Sequence, residues 1–412
     1  MRRLVVFNLL FLFVAAAPLK QLNAAIIART MPTNCQEIFS KNNKFNQNFL
    51  KFLEKWQIPG ASIAVMQNNK IILSCGYGWA NLEERQPMQP GSLFRLGSVS
   101  KTITAIAILK LVEQNKINLD DKVFILLSDL TPINKLQPNP EIYKITVRDL
   151  LQMSSGWYSD RPEDYDPMFG PWSDTMLRAL SYQIPPSCEM AARMMMGMPL
   201  EFSPGTKFSY SNLNYCLLGL IINKVTQQNG ALGYELYIKH TLLSPLGIND
   251  MRLGSTNFAN SAVHEVKYYA DDKNVFNDID RTLDGFPYSK TDILNKNYAD
   301  GGWVASAPDL VKILQALYDN KLLASKTKKI MIEKPAYWNK KLGYPAMGWD
   351  EVYITKEKNF ISKIGSFTGT NAFILQNKEG ISYAALFNTK PAHEDQFIKE
   401  LKEKLTEINI ER

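Results

Sequence analysis

The sequence predicts an α/β fold: an antiparallel sheet flanked by helices and built from both chain ends, with a mostly helical lobe inserted between them. Three observations predict it. Each end of the chain reads as a helix beside a hairpin. The middle alternates helix-like stretches with loops marked by Pro and Gly, and strand signals there are few. A length of 412 residues exceeds what one small core needs, so two lobes are expected.

The elements follow in order. Met1-Arg2-Arg3 is a basic start, Leu4–Ala17 is an apolar run of 14 residues, and Leu22-Asn23-Ala24 has the small residue of a cleavage site. This is the pattern of a secretory signal peptide. The run is shorter than the ~20 residues of a membrane-spanning helix. Residues 1–24 are therefore expected to be removed, leaving a periplasmic or secreted protein without a stable membrane span, with an uncleaved anchor as the alternative. Residues 35–57 predict an amphipathic helix, with Phe45, Phe49, Phe52, Leu53 and Trp56 on one face. Pro59-Gly60 ends it. Ala61–Met66 and Lys70–Tyr77 then read as strands around a turn at Gln67-Asn68-Asn69. Thr102–Val112 is apolar on nearly every side, which predicts a central, buried helix. Asp309–Leu317 reads as a helix returning the chain to the sheet. Thr370–Gln376 and Ile381–Phe387 form a second hairpin pattern, and Phe397, Leu401, Leu405 and Ile408 mark a last amphipathic helix. The expected division is a sheet domain of 25–95 plus 300–412 and a helical insertion of 96–299.

Three segments invite a functional reading. The aromatic loop from Gly156 to Asp174 is long enough to be functional, or to be a surface loop pinned by its own rings. Met190, Met194, Met195, Met196 and Met198 read as core filler rather than an adaptable pocket. The acidic segment 271–284 lacks EF-hand spacing and reads as solvated loop.

Charge and cysteine content narrow the function. The net charge of +7 falls to +4 when Arg2, Arg3 and Lys20 leave with the signal, and no basic run remains, so nucleic acid is not an expected partner. No Cys/His spacing reads as a zinc site, and no cofactor is implied. Cys35, Cys75, Cys188 and Cys216 allow three pairings, and export would permit disulfides. Cys188 and Cys216 flank the second motif described below and form the favoured pair, with free buried thiols as the alternative.

The chemistry lies in three motifs: Ser98-Val99-Ser100-Lys101, Tyr210-Ser211-Asn212 and Lys363-Ile364-Gly365. Ser98 and Lys101 share a helix face one turn apart. Tyr210 and Asn212 project to one side of an extended loop. Lys363 reads as the start of a strand. A serine at a helix N-terminus meets the positive end of the dipole and free backbone N–H groups that can stabilise an oxyanion. Taken alone, Ser98 would be a helix cap, and Ser325-Lys326-Thr327-Lys328 is a second match without that setting. A serine needs a base. The three histidines, His240, His264 and His393, lie far from the motifs in sequence, and there is no G-x-S-x-G elbow. Lys101 and Tyr210 are the candidate bases, and coupled titration leaves the choice between them open. Asn212 can hold a substrate amide or fix Lys101. Lys363 can bind a substrate carboxylate or tune Tyr210.

These motifs, with Phe94–Thr102, Leu119-Asp120-Asp121, Ile145–Leu151, Pro204-Gly205-Thr206, Ser244–Gly247 and Gly301-Gly302, resemble the serine β-lactamase and penicillin-binding-protein superfamily over about residues 45–390, in particular its class C-like branch. The resemblance implies an α/β sandwich with a helical insertion and a site in the cleft between them. It implies Ser98 as acylated nucleophile, Lys101 as its activating partner, Tyr210 as general base and Asn212 as substrate-orienting group. It places Lys363 and Gly365 in the third motif and the backbone N–H groups of Ser98 and Ser366 in the oxyanion hole. The expected substrate is a small molecule or peptide with a scissile ester or amide carbonyl. A catalytically silent binding or sensor module on the same fold is the alternative. Two departures stand out: Ile364 occupies a position where class C enzymes often carry a threonine hydroxyl that could bond a β-lactam carboxylate, and Met153 stands where many relatives carry His.

Overall fold

In the computed structural model, residues 31–35, 43–133, 137–157, 167–168, 171–179, 186–270, 293–340, 343–355 and 358–408 are described. The signal-like segment, the acidic segment and most of the aromatic loop lie outside them.

A nine-stranded sheet organises the molecule. Its strands are β1 (Thr33–Cys35), β2 (Gly60–Gln67), β3 (Lys70–Asn81), β4 (Gln86–Pro87), β8 (Tyr344–Ala346), β9 (Trp349–Ile354), β10 (Asn359–Phe367), β11 (Thr370–Asn377) and β12 (Ser382–Phe387). The order is β1-β3-β2-β12-β11-β10-β9-β8, with β4 on β3, and every pairing is antiparallel. The first and last hairpins join through β2 and β12, as a sheet made from both chain ends requires. A three-stranded sheet, β5 (Phe94–Arg95), β7 (Trp303–Ala305) and β6 (Arg252–Leu253), lies beside it.

Alternation along the strands sorts side chains into two layers. On one face Ile63, Val65, Phe373, Ala385 and Phe387 meet the terminal helices Asn43–Lys55 and Glu394–Leu405 through Phe49, Phe52, Phe397 and Leu401. On the other face Ala64, Ala372, Ile374, Ala384 and Leu386 join the helical core, including the helix Ala307–Tyr318. Ser306 starts that helix by accepting from Asp309 N at 3.3 Å, an N-cap that satisfies an otherwise orphaned donor. The helix Ser100–Glu113 is buried almost throughout, as its apolar circumference predicts. Met194, Met195 and Met196 are core. Among the described residues no helix is long and apolar enough to cross a membrane.

Three expectations are corrected. Among the described residues the predicted amphipathic helix runs from Asn43 to Lys55, and its expected start at 35 is not helical: Cys35 closes strand β1 and is bonded to Cys75 of β3. An edge strand of three residues gives no readable alternation. Lys363 is the fifth residue of β10, not a strand start, because β10 begins at Asn359. The stretch Tyr215–Val225 also reads as a helix in the sequence, and that helix starts earlier, at Asn212. The second disulfide is Cys188–Cys216, so none of the four cysteines is free.

Candidate active site

Two local features bring the nucleophile to the sheet. Residues Gly97–Val99 form one 3-10 turn that runs directly into the helix Ser100–Glu113. Gly97 has φ +50, and a Cβ there would lie 2.9 Å from Ser366 N. A Cβ on Gly365 would lie 2.0 Å from Leu96 O and 2.9 Å from Ser98 N. Both positions need glycine, the first for its left-handed backbone and both for space. The Ser98 turn is thereby pressed onto β10.

The four polar side chains of the first two motifs converge. Ser98 Oγ lies 2.6 Å from Tyr210 OH, and Lys101 Nζ donates to Ser98 Oγ at 3.1 Å. These two are the hydrogen-bond partners of Ser98 Oγ; neither is a histidine. Lys101 also donates to Asn212 Oδ1 at 2.8 Å and to the Asp300 carbonyl at 2.7 Å. Those two oxygens can only accept. They hold Lys101 N–H groups whether the amine is charged or neutral, and a neutral amine would turn its lone pair to Ser98. The Asp300 segment is sewn to the same helix: Thr104 Oγ1 donates to Ala299 O at 2.6 Å, and Trp303 N donates to Ser100 Oγ at 3.2 Å.

Tyr210 and Asn212 flank Ser211, whose backbone is extended (φ −149, ψ 126), so both side chains reach the same side, and Asn212 opens the helix Asn212–Thr226. The Cys188–Cys216 bond ties that helix to Cys188–Met195. Tyr215, one turn into the helix, donates to Leu151 O at 3.1 Å, and its ring lies 5.9 Å from Lys101 Nζ.

The third motif enters from β10. Lys363 Nζ lies 5.5 Å from the Tyr210 ring centre, with Lys101 Nζ at 5.2 Å. Burial pushes the Tyr210 phenol up to about 12; the Lys363 ammonium pulls it down, the Asp350 carboxylate pushes it up, the hydrogen bond with Ser98 lowers it and Asp300 raises it. Burial wins, so the resting phenol is neutral.

Asp350 is the residue that sequence reading missed. It holds Lys363 Nζ at 2.5 Å through Oδ1 and accepts from Ile364 N at 2.9 Å through Oδ2. Pairing of β9 with β10 runs from Asn359↔Ile354 to Ser362↔Glu351, and the next step would set Lys363 against Asp350. There the ladder stops and the carboxylate takes over. A hairpin reading of Trp349–Phe367 could have revealed this register, but its scattered charges hide the alternation. Because Ile364 N points away from β11, Ser366 N, two residues on, points to the same open edge, beside the Ser98 turn. Two backbone donors can converge there on an oxyanion.

Ile364 itself faces the other way. It packs with the terminal-helix layer, while Ile361 packs with the helical core. Ile364 thus alternates with Lys363 and Gly365 along β10, and the missing threonine hydroxyl stands as a departure from the class C pattern. Met153 is buried with φ 55, and its sulfur accepts from Asn214 Nδ2 at 3.4 Å. Ser325 is exposed at the start of a surface helix, so the second S-x-x-K match is a surface feature. Among the described residues no cluster of His, Cys, Asp and Glu could hold a metal ion.

A family profile described as Beta-lactamase matches residues 45–406. Protein flp of Staphylococcus aureus (strain COL) is 34% identical over 206 residues, which is 50% of this chain and 37% of that protein, so the chain spans well under half the length of this curated relative. Among solved structures, D-amino acid amidase from Ochrobactrum anthropi SV3, complexed with L-phenylalanine amide, superposes with a TM-score of 0.67 at 20% identity, covering 90% of this chain and 97% of that one. The octameric penicillin-binding protein homologue from Pyrococcus abyssi gives a TM-score of 0.63 at 22% identity, covering 89% and 77%. At these identities the two structures speak for the fold.

Proposed function

The chain belongs to the beta-lactamase family, and from that premise we propose that it is an exported serine hydrolase that opens an ester, amide or peptide bond through a Ser98 acyl-enzyme. The observation that carries the reading is the contact of Ser98 Oγ with both candidate bases, at 2.6 Å and 3.1 Å. Ser98 Oγ attacks the scissile carbonyl while its proton passes to Lys101 or Tyr210. The oxyanion forms against the N–H groups of Ser98 and Ser366. The leaving group departs with that proton, and the ester on Ser98 remains. Water then attacks the ester, giving up a proton to the same base, and the acid leaves with Ser98 restored. Asn212 holds Lys101 in line and can turn its amide to substrate. Export is supported by the leader pattern of residues 1–24 and by two disulfides, which persist in oxidising compartments. Amide substrates are supported by the likeness to a D-amino acid amidase.

The test is turnover of nitrocefin, a p-nitrophenyl ester and a peptide ending in D-Ala-D-Ala, with Ser98→Ala as control. At least one substrate is expected to be cleaved at a rate the variant loses by several orders of magnitude. A wild type no faster than the variant on all three, and no mass gain on Ser98 with a fluorophosphonate, would refute the reading.

A further inference from the structure

The Lys363–Asp350 pair sets what the pocket accepts. Lys363 is the one cation the third motif brings to the site, and its side chain is 3% exposed. Its charge is met at 2.5 Å by a carboxylate of this same chain. That carboxylate is not loose: its second oxygen is held by Ile364 N at 2.9 Å, at the register position where β9 leaves β10. A substrate carboxylate seeking Lys363 would have to displace Asp350 or approach beside it, and like charges repel in a low-dielectric cleft. We infer that Asp350 is a specificity-determining residue that stands in for a substrate carboxylate on Lys363, so that the site favours acyl substrates with no carboxylate beside the scissile bond. The inference rests on the Ser98 acyl-transfer reading and gives it a substrate class: neutral esters and amides.

The rest of the charge around the pocket agrees. The groups acting on Tyr210 are Lys363, Asp350, Asp300 and Ser98, with Lys101 over its ring and Tyr215 behind. Asp350 and Asp300 both oppose what Lys363 does to the phenol. Asp350→Asn removes one anion from this set and leaves Lys363 as an uncovered cation. Two effects follow together. A carboxylate-bearing substrate gains an attractive partner. The acid limb of the pH–rate profile moves to lower pH, because loss of an anion favours both phenolate and neutral amine.

The experiment compares phenyl phenylacetate with its 3-carboxyphenyl analogue, which differ by one carboxylate on the leaving group. Acylation rates are measured for the wild type, Asp350→Asn, Asp350→Glu, the double variant Asp350→Asn/Lys363→Met and Ser98→Ala. Asp350→Asn is expected to raise the anionic-to-neutral rate ratio on the order of ten-fold, through KM more than kcat, and to shift the acid limb downward. Asp350→Glu is expected to keep the wild-type ratio. The double variant, with both charges gone, is expected to keep the wild-type anionic-to-neutral ratio, whatever the loss of Lys363 does to the absolute rates, since the native pair is already neutral. A ratio that does not move in Asp350→Asn, or that falls in the double variant, overturns the inference and leaves the serine hydrolase reading intact. If Asp350→Asn fails to fold, Asp350→Gln takes its place, with the same rise in ratio expected and an unmoved ratio overturning the inference. Equal rates in wild type and Ser98→Ala on both esters overturn the underlying reading and the inference with it.

Discussion

Two ion pairs lie close to Ser98, and only one of them meets the pocket. Arg95, three residues before the nucleophile, and Glu265 are both wholly buried, 3.5 Å apart. The guanidinium stacks over Tyr268 at 4.2 Å and donates to Ser255 O at 2.9 Å, and Tyr268 OH donates to Glu265 at 2.8 Å. Lys363 is almost as buried, but Asp350 keeps 31% of its side chain exposed. The first pair has every side closed by protein, so its charges act on the fold alone. The second leaves its carboxylate partly in reach of water. Similar chemistry serves scaffold or selection according to whether water, and hence substrate, can reach it.

The comparison can be broken. Glu265→Gln strands a buried guanidinium and is expected to cost about 3–5 kcal/mol, read by urea unfolding. Asp350→Asn is expected to cost less, about 1–2 kcal/mol, because solvent reaches the pair. Equal losses would erase the distinction between them. A smaller effect sharpens the catalytic side. Lys363→Met removes a cation that favours a phenolate and disfavours an ammonium. Whether Tyr210 or Lys101 takes the Ser98 proton, loss of this cation raises the pKa of the base, and the acid limb of kcat/KM moves to higher pH. A limb that stays in place would mean that Lys363 does not act on the base. The smallest effect concerns Ile364. Ile364→Thr is expected to cost about 1 kcal/mol from the terminal-helix layer and to leave the anionic-to-neutral substrate ratio unchanged. A gain in carboxylate preference would mean that the side chain reaches the pocket after all.

How far the site could be read in advance varied with the range of each contact. Ser98 and Lys101 were legible because one helical turn relates them. Tyr210 and Asn212 were legible because one extended residue separates them. The buried helix Ser100–Glu113 declared itself by having no polar face. Strand β1 is three residues long and β9 alternates poorly, so neither left a local trace, and β10 showed itself only from Lys363 onward. Asp350 was invisible for the same reason: its meaning depends on the register of β9 against the part of β10 that precedes Lys363.

The amino-acid order by itself determined the helix-and-hairpin ends, the helical insertion, the family likeness and the residue types able to transfer an acyl group. These depend on near-neighbour periodicity and on short motifs. Only the folded chain decided that Asp350 covers Lys363, that Ile364 points to the opposite layer and that Cys35 bonds Cys75. Each of those depends on strand register, and a shift of one residue would turn every side chain along β10 to the other face of the sheet.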